Sequence, residues 1–377
     1  MTLPMAGVQM ASNWMIYGAT GYTGIRIARE AAKRGQTPII AGRSREKVER
    51  LAADLKCPAR VFALESVSQI AGELAGLSAV VNCAGPFSAT AVPMMDACIQ
   101  ARVSYLDITG EIDVIEAAAA RDTKASDARI RLMPAVGFDV VPSDCLAAVL
   151  ADEVHGAKEL QLAFTASGGF SPGTAKTMVE GLPHGGKARV DGKIIRVPAA
   201  WKTREIPFWS GRRMAVTIPW GDVASAYYTT GIENIEVYTT MPASQLRFMR
   251  WFRWAFPLAG LGFVQSYLKR RVDRSVQGPN EEVYNKSRCS LWGRVTDARG
   301  RKAEATLETP GGYPLTVMTT LAAVEKVLAD DVHEGAYGFL TPARAFGKHF
   351  IKSFPGVELR LDRAGQGTAV APAPELK

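Results

Sequence analysis

Trp14-Met15-Ile16-Tyr17-Gly18-Ala19-Thr20-Gly21-Tyr22-Thr23-Gly24 is an apolar run that ends in three glycines at intervals of three residues. This pattern is the strongest indication of the fold in the sequence. β-Forming residues precede the glycines, and an amphipathic helical pattern follows them. Glycine has no Cβ, so the backbone can turn sharply and approach a pyrophosphate, while the next helix directs free N–H groups at the anion. The stretch therefore predicts a dinucleotide-binding turn formed by Gly18, Ala19, Thr20, Gly21, Tyr22, Thr23 and Gly24; a plain strand-to-helix turn is the alternative.

The region around this turn alternates between short apolar runs and helical patterns. The predicted strands after the turn are 36–42, 60–64, 79–83, 103–108 and 130–136. The predicted helices between them are 44–55, 66–75, 91–101 and 111–128. Such alternation is typical of an open parallel sheet with helices on both faces. We therefore expect an α/β, doubly wound Rossmann domain over residues 13–145.

The pattern changes after residue 145. Further strands are predicted at 160–166, 188–190, 193–197, 214–218, 232–240, 290–297 and 303–308, and Asp191-Gly192 is a hairpin signal. Residues 146–340 thus predict a second, α+β domain on a mostly antiparallel sheet, for substrate binding or dimerisation. We expect the helix and strand of 341–363 to pack back on the first domain. Residues 1–12 are expected to form a flexible tail and the Pro-, Ala- and Gly-rich 364–377 a disordered one.

Composition limits the classes of function. The chain has 377 residues, a net charge of +8 and five cysteines at irregular spacing. The positive charge suits an anionic small molecule or membrane surface, but no nucleic-acid-binding motif is present. The cysteines indicate a reducing compartment rather than a disulfide framework, and the four histidines show no metal-ligand spacing. Residues 1–13 lack the features of a signal peptide, and no apolar run is long enough to span a membrane, so a cytoplasmic location is expected.

The end of the second predicted strand indicates which dinucleotide is bound. An NAD enzyme usually has an acidic residue there for the ribose 2′-hydroxyl, but this strand ends in Gly42-Arg43-Ser44. A guanidinium is well shaped to bind a phosphate, and Ser44 lies beside it, where it can also cap the next helix. Arg43 and Ser44 therefore predict NADP (NADPH) as the cofactor; a solvated arginine at a helix start is the alternative.

Five motifs in order along the chain resemble those of the saccharopine dehydrogenase-like oxidoreductases, and in particular the trans-acting enoyl reductases of that group. The motifs are 18–24, 41–43, 82–87, 105–111 and 137–144, and the match is dense over 14–145 and patchier beyond. The resemblance implies a Rossmann domain that binds NADP and a second domain that covers the nicotinamide. It also implies that the loop of Cys83, Ala84, Gly85, Pro86 and Phe87 runs beside the cofactor, where ligands of open α/β sheets lie.

The resemblance further implies the kind of reaction. A member of this family would reduce a C=C (enoyl) or C=N bond by hydride transfer, here in an apolar or lipid-derived, carrier-bound small molecule. The other class of function that we keep is a non-enzymatic, NADP-binding redox sensor or scaffold, associated with lipid or membrane. Such a protein would keep the glycine turn and Arg43 but lack a working proton donor.

Acidic residues just past the strand at 103–108 are candidates for that proton donor. Reduction of a double bond needs a proton as well as a hydride, and Asp107, Glu111 and Tyr105 are the predicted catalytic residues. The structural alternative is that Thr109 caps the helix near Glu111, that the acids favour its dipole, and that Tyr105 is packed in the sheet. Asp139 and Asp144 have the same ambiguity.

Two rival enzyme classes lack their catalytic groups here. Short-chain dehydrogenases use a Tyr-x-x-x-Lys pair, but none of the ten tyrosines has a lysine four residues later. Acyl-phosphate and semialdehyde reductases need a reactive thiolate. Cys145 is the best candidate for one, although a small buried cysteine is commoner.

The segment 247–271 combines tryptophans and other apolar residues with arginines and a lysine. It predicts either peripheral membrane contact, with aromatic side chains at headgroup depth and arginines on anionic lipid, or a helix packed in the core or in a homodimer interface, with its arginines reaching solvent. The second alternative is slightly favoured.

Overall fold

A computed structural model of the chain describes residues 13–166, 169–333 and 336–363. The strands are β1 (Trp14–Tyr17), β2 (Ile39–Gly42), β3 (Ala59–Val61), β4 (Ala79–Asn82), β5 (Ser104–Asp107), β6 (Arg131–Met133), β7 (Ala157–Ala166), β8 (Gly186–Val190), β9 (Lys193–Val197), β10 (Thr203–Phe208), β11 (Gly211–Thr217), β12 (Asn234–Thr240), β13 (Arg288–Asp297), β14 (Lys302–Pro310), β15 (Gly338–Phe339) and β16 (Glu358–Arg363). The predicted tails 1–12 and 364–377 lie outside the described residues.

Helices connect and cover these strands. The α-helices are α1 (Tyr22–Lys33), α2 (Arg45–Leu55), α3 (Val67–Leu74), α4 (Phe87–Ala101), α5 (Ile112–Ala119), α6 (Asp122–Asp127), α7 (Val141–Glu153), α8 (Pro172–Gly181), α9 (Asp222–Thr230), α10 (Ala243–Phe252), α11 (Gly262–Ser275), α12 (Glu281–Lys286), α13 (Gly312–Leu328) and α14 (Pro342–Phe346). Short 3-10 helices lie at Leu182–His184, Arg253–Gly260 and Phe350–Ser353. Within the described ranges, no helix is long and apolar enough to cross a membrane.

The first sheet has seven parallel strands in the order β15-β6-β5-β4-β1-β2-β3. Alternate residues of β1 enter two separate cores: Trp14 and Ile16 pack on one face of the sheet, and Met15 and Tyr17 on the other. A strand buried on both faces reads as a continuous apolar run, which is why the sequence identifies these strands. The predicted doubly wound Rossmann domain is confirmed.

The second sheet has nine strands, with a path β10-β11-β12-β7-β13-β14-β16 and a β8–β9 hairpin attached to β12. Asp191 and Gly192 both have positive φ at the hairpin turn, 48° and 74°, as a tight hairpin requires. Strand β12 pairs in parallel with β7, and the other pairs are antiparallel. The predicted α+β second domain on a mostly antiparallel sheet is confirmed.

The end of the chain moves between the two sheets in a way that the sequence does not indicate. Helix α13 packs on α1 and β4, and the two-residue strand β15 extends the first sheet beside β6. Helix α14 packs on α7, and β16 pairs with β14 in the second sheet. The division at 146–340 and 341–363 therefore does not follow the structure, because an apolar pattern shows that an element is covered but not by which sheet.

Candidate active site

The glycine turn lies at the carboxyl end of the parallel sheet and touches the loop that follows β4. Gly18 has φ +78°, and a Cβ on it would lie 2.7 Å from the backbone nitrogen of Ala84. A Cβ on Gly24 would lie 2.4 Å from the carbonyl oxygen of Gly18. Because the opposing atoms belong to the backbone, both positions require glycine. Gly21 is less restricted, with its nearest such contact at 3.3 Å.

The start of α1 is built to receive an anion. Gly21 occupies the N-cap position and has no side chain to cap the helix, and the first turn carries no acidic residue. The amide of Ile25 donates to the Gly21 carbonyl at 3.0 Å, whereas the amides of Tyr22 and Thr23 have no acceptor within the helix. Free N–H groups and the positive end of the helix dipole fit a dinucleotide pyrophosphate.

Arg43 lies next to this turn. Ala41, two residues earlier at the end of β2, accepts hydrogen bonds from Gly18 N at 2.9 Å and Ala19 N at 3.2 Å. The side chain of Arg43 is exposed and has no ion pair within the described part of the chain, whereas Arg45 pairs with Glu49 at 2.8 Å. Ser44 takes the N-cap position of α2, but its hydroxyl makes no cap hydrogen bond. The capping prediction for this side chain is therefore wrong.

A buried asparagine orders the loop that follows β4. The Oδ1 of Asn82 accepts from Ala84 N at 3.0 Å, and its Nδ2 donates to the Thr90 hydroxyl at 3.2 Å. Thr90 in turn donates to the carbonyl of Ala84 at 2.6 Å, and the Gly85–Pro86 peptide is cis. This network holds the 83–87 loop against the glycine turn, where the resemblance places it.

The structure does not bring Tyr105 and Asp107 to the surface of the crevice. Both side chains are fully buried. Asp107 accepts hydrogen bonds from the Tyr105 hydroxyl at 2.6 Å and from the amides of Thr109 and Ala135 at 3.0 and 2.7 Å. Burial raises the pKa of Asp107 to about 6. A carboxylate that is enclosed and bonded in this way ties the ends of β5 and β6 together. The burial of Tyr105 and Asp107 argues against the role of proton donor that the sequence predicts for them.

Glu111 lies at the crevice and closes the N-terminus of α4. Its two carboxylate oxygens accept from the amides of Phe87 and Ser88, at 3.0 and 2.8 Å. Burial, with smaller contributions from the charges of Glu180 and Asp107, raises its pKa to about 7, against the effect of the two amide bonds. The Thr109 hydroxyl accepts from the amide of Glu111 at 3.0 Å. The N-cap position of α5 is Glu111 itself, without a side-chain cap hydrogen bond, so Thr109 does not cap this helix as the structural alternative predicted.

Asp139, in the loop after β6, lies beside Gly110 and close enough to Glu111 for the two charges to interact. Its carboxyl packs against Gly110, where a Cβ would come within 2.8 Å of Oδ2. Burial and the charge of Glu111 raise the pKa of Asp139 to about 7. Two amides favour the charged form of Glu111, whereas the charge of Glu111 disfavours that of Asp139, so Asp139 is the more easily protonated of the two. The sequence reasoning left Asp139 undecided, because only the fold brings it to Glu111.

Aromatic side chains line the region beside Asp139. The Trp220 indole donates to the Asp139 carbonyl at 2.7 Å, and its ring lies 4.9 Å from that of Phe164. Phe164 in turn packs edge-on against Phe138 at 6.2 Å. These residues come from three distant segments, and the sequence contains no signal that unites them. They form an apolar wall next to the carboxyl pair, with Phe164 and Trp220 from the second domain and Phe138 from the loop after β6.

The second domain also covers the start of α1 through Tyr22. The Tyr22 hydroxyl donates to the carbonyl of Pro279 at 2.8 Å, and its ring lies 4.9 Å from that of Tyr313. The Tyr313 hydroxyl accepts from the amide of Ser171 at 2.5 Å, at the N-terminus of α8. Near the other end of α8 is Glu180, whose charge acts on Glu111. Helix α8 therefore spans the crevice from the glycine turn to the carboxyl pair.

Groups needed by other chemistries are not assembled. Cys145 is fully buried, and burial raises the pKa of its thiol, so it is not a reactive thiolate. No group of three or more His, Cys, Asp or Glu side chains that could hold a metal ion occurs in residues 13–166, 169–333 and 336–363.

Comparisons with known proteins agree with this geometry. Residues 14–133 match the family described as the saccharopine dehydrogenase NADP binding domain. A putative trans-acting enoyl reductase of Mycobacterium tuberculosis is 25% identical, over 93% of this chain and 97% of the relative. The saccharopine dehydrogenase-like oxidoreductase of Homo sapiens is 32% identical, over 37% of each chain.

The fold has a counterpart among solved structures. Apo saccharopine dehydrogenase (L-Glu forming) from Saccharomyces cerevisiae superimposes with a TM-score of 0.65, covering 93% of this chain and all of that one, at 12% identity. This likeness shows a shared fold. The match of residues 14–133 to the family model, with the two relatives, confirms the resemblance to the saccharopine dehydrogenase-like oxidoreductases, and the family model supports a nicotinamide cofactor.

Proposed function

We propose that this saccharopine dehydrogenase-like oxidoreductase uses NADPH to reduce a C=C or C=N bond of an apolar or lipid-derived, carrier-bound substrate. The observation that carries the proposal is the position of Glu111 and Asp139 at the carboxyl end of the parallel sheet, where burial raises the pKa of both carboxyls to about 7. A general acid works best when its pKa lies near the working pH.

The chain's own residues divide the work between binding and protonation. The amides of the glycine turn would hold the pyrophosphate, and Arg43 with Ser44 the 2′-phosphate. NADPH, when bound, supplies a hydride to one atom of the double bond. Asp139 would deliver its proton to the other atom, and Glu111 would be a positioning residue whose charge keeps Asp139 protonated until then.

The preference for an apolar substrate has two supports. Phe138, Phe164 and Trp220 form an apolar wall beside Asp139, and an apolar wall with a few polar groups is typical of small-molecule sites. The relative that aligns over nearly the whole chain is named a putative trans-acting enoyl reductase.

The proposal is tested by NADPH oxidation against a panel of enoyl thioesters and imines, with binding of NADPH measured separately. We expect Asp139→Asn to bind NADPH normally and to lower kcat by roughly 10²- to 10⁴-fold, the usual contribution of a general acid. Glu111→Gln should shift the pH profile of kcat to lower pH, because removing its charge lowers the pKa of Asp139. Asp127→Asn, on an exposed part of α6, is the matched control.

The outcomes separate the two classes of function. An unchanged kcat in Asp139→Asn would exclude the assigned proton donor. NADPH binding without turnover of any substrate on the panel, in the wild type as in the variants, would favour the redox sensor or scaffold.

A further inference from the structure

The segment around α11 exposes an unusual number of large apolar side chains. Trp251, Phe263 and Trp254 are 81%, 75% and 71% exposed. Tyr267, Leu258 and Leu261 are 61%, 56% and 46% exposed. These six residues, with the exposed Arg247, Arg250, Arg270, Arg271 and Arg274, are called the aromatic–arginine surface. Packing in the core of this chain, the alternative favoured from the sequence, is therefore wrong for these side chains.

Helix α11 has one side fixed to the protein and one side facing solvent. On the fixed side, Gln265 donates to the Val179 carbonyl at 3.0 Å, and Lys269 pairs with Glu180 at 2.5 Å, both on α8. The outward residues Phe263, Tyr267, Arg270 and Arg274 are spaced four, three and four apart, so they form one stripe. The stripe is apolar at the start of the helix and cationic at its end.

The cationic end of the stripe forms a cleft. Tyr267, Arg270, Arg271 and Arg274 line an open depression of about 320 Å³. None of these three arginines has an ion pair among the residues that the structure describes, whereas the neighbouring Asp273 pairs with Lys176 at 2.6 Å. Guanidinium groups that are not engaged in ion pairs can bind phosphate oxygens through two parallel hydrogen bonds.

We propose that the aromatic–arginine surface docks on an anionic membrane, with lipid phosphates at the arginine cleft and the tryptophans at headgroup depth. Amphipathic segments with basic and aromatic residues bind membrane interfaces through both burial and charge. A symmetric dimer through the same surface would bring five like-charged arginines of each copy together. The charge pattern therefore complements a lipid surface and opposes self-association.

Docking in this way would orient the crevice. The surface is backed directly by α8, which runs from the Tyr313 hydroxyl to the neighbourhood of Glu111. A membrane on the outer side of α11 thus lies one helix away from the carboxyl pair. The docking itself does not depend on the proposed reaction.

The test is flotation of the full chain with vesicles of mixed phosphatidylglycerol and phosphatidylcholine, compared with phosphatidylcholine alone. We expect binding to the anionic vesicles that weakens as ionic strength rises. Arg270→Gln/Arg274→Gln should lower the partition coefficient by about fivefold for each arginine removed. Trp251→Ala/Trp254→Ala should also weaken binding, and since all four side chains are exposed, neither variant should change Tm.

Matched controls distinguish membrane docking from other causes. Arg299→Gln/Lys302→Gln removes the same charge at the β13–β14 turn. This turn follows the last residue of β13, whereas α11 and α12 precede its first residue, Arg288. The control variant should bind vesicles as the wild type does. At matched ionic strength, inorganic phosphate should release no more of the bound protein than chloride does. No binding to anionic vesicles, an equal loss in the control, or a dimer that dissociates in Trp251→Ala/Trp254→Ala without any vesicle binding would overturn the proposal.

Discussion

Replacing Asp139 by asparagine should stabilise the protein at alkaline pH while it removes the proposed proton donor. The pKa of Asp139 rises from 3.8 to about 7 on folding, through burial and the charge of Glu111. For an acid with a raised pKa, the protonated form stabilises the fold fully below the unfolded pKa, and this stabilisation is lost as the pH rises to the folded pKa. Asparagine resembles the protonated carboxyl in shape and does not titrate, so at this position no unfolding free energy is lost between the unfolded and the folded pKa.

The magnitude follows from the shift. At about 1.4 kcal/mol for each pKa unit, the wild type loses at most about 4 kcal/mol of unfolding free energy across the interval, and at most about 3 of these between about pH 5 and about pH 8. Asp139→Asn should therefore gain up to about 3 kcal/mol relative to the wild type between these two pH values.

Urea unfolding at the two pH values, followed by tryptophan fluorescence, measures this gain. The difference between variant and wild type matters, because Asp107 and Asp144 also have raised pKa values and contribute equally to both proteins. Asp127→Asn, at an exposed position, controls for the loss of one charge. A stability difference that is the same at both pH values would show that Asp139 titrates near its usual pKa. The assignment of a proton to Asp139 near neutral pH would then fail.

Two further substitutions test the cofactor site. Arg43→Ala should weaken the binding of NADPH by roughly 10- to 100-fold, the contribution of a charge-assisted hydrogen bond, and leave the binding of NADH nearly unchanged in a fluorescence titration. Equal weakening of both would refute the 2′-phosphate assignment. Arg45→Ala, which removes a residue already paired with Glu49, is the control. Gly24→Ala places a Cβ 2.4 Å from the Gly18 carbonyl oxygen, so it should abolish the binding of both dinucleotides and lower Tm. The control is Gly72→Ala in α3, where no atom lies within 4 Å of the added carbon. It should leave Tm unchanged or raise it slightly in the same thermal assay.

The first domain could be predicted from its sequence because its determinants are local. Within twenty residues of Trp14 there follow an apolar strand, glycines that tight backbone contacts require, and a helix. Parallel strands that are buried on both faces can be recognised in the sequence as apolar runs. Strand β15 was missed, since two residues carry no periodicity. The helix predicted over 111–128 is broken into α5 and α6, a division that its continuous apolar pattern does not show.

The candidate site was predictable only in part, for the same physical reason. Gly18, Arg43 and the 83–87 loop are placed by consecutive strand ends of one parallel sheet, so their meeting follows from the strand order. Trp220 and Phe164 belong to the second domain, and Tyr313 to α13, which packs on α1. These residues reach the crevice through packing between distant elements, which leaves no trace in the spacing of the sequence. The exposure of Trp251 likewise could not be read from a segment whose composition suits either a core or a membrane surface.

Asp107, Glu111 and Asp139 show why residue type alone does not identify a proton donor. Asp107 has three hydrogen-bond donors and no exposure, so its carboxylate is used to hold the strand ends together. Glu111 has two amide donors and carries the charge, while Asp139 has the charge of Glu111 beside it and is only half-buried. An acid becomes a proton donor when its neighbours disfavour its charged form and yet leave it accessible. Glu111 and Asp139 both have raised pKa values and partial exposure. The two amides bonded to Glu111 favour its charged form, so we assign the proton to Asp139, which the loop after β6 returns to the end of β5.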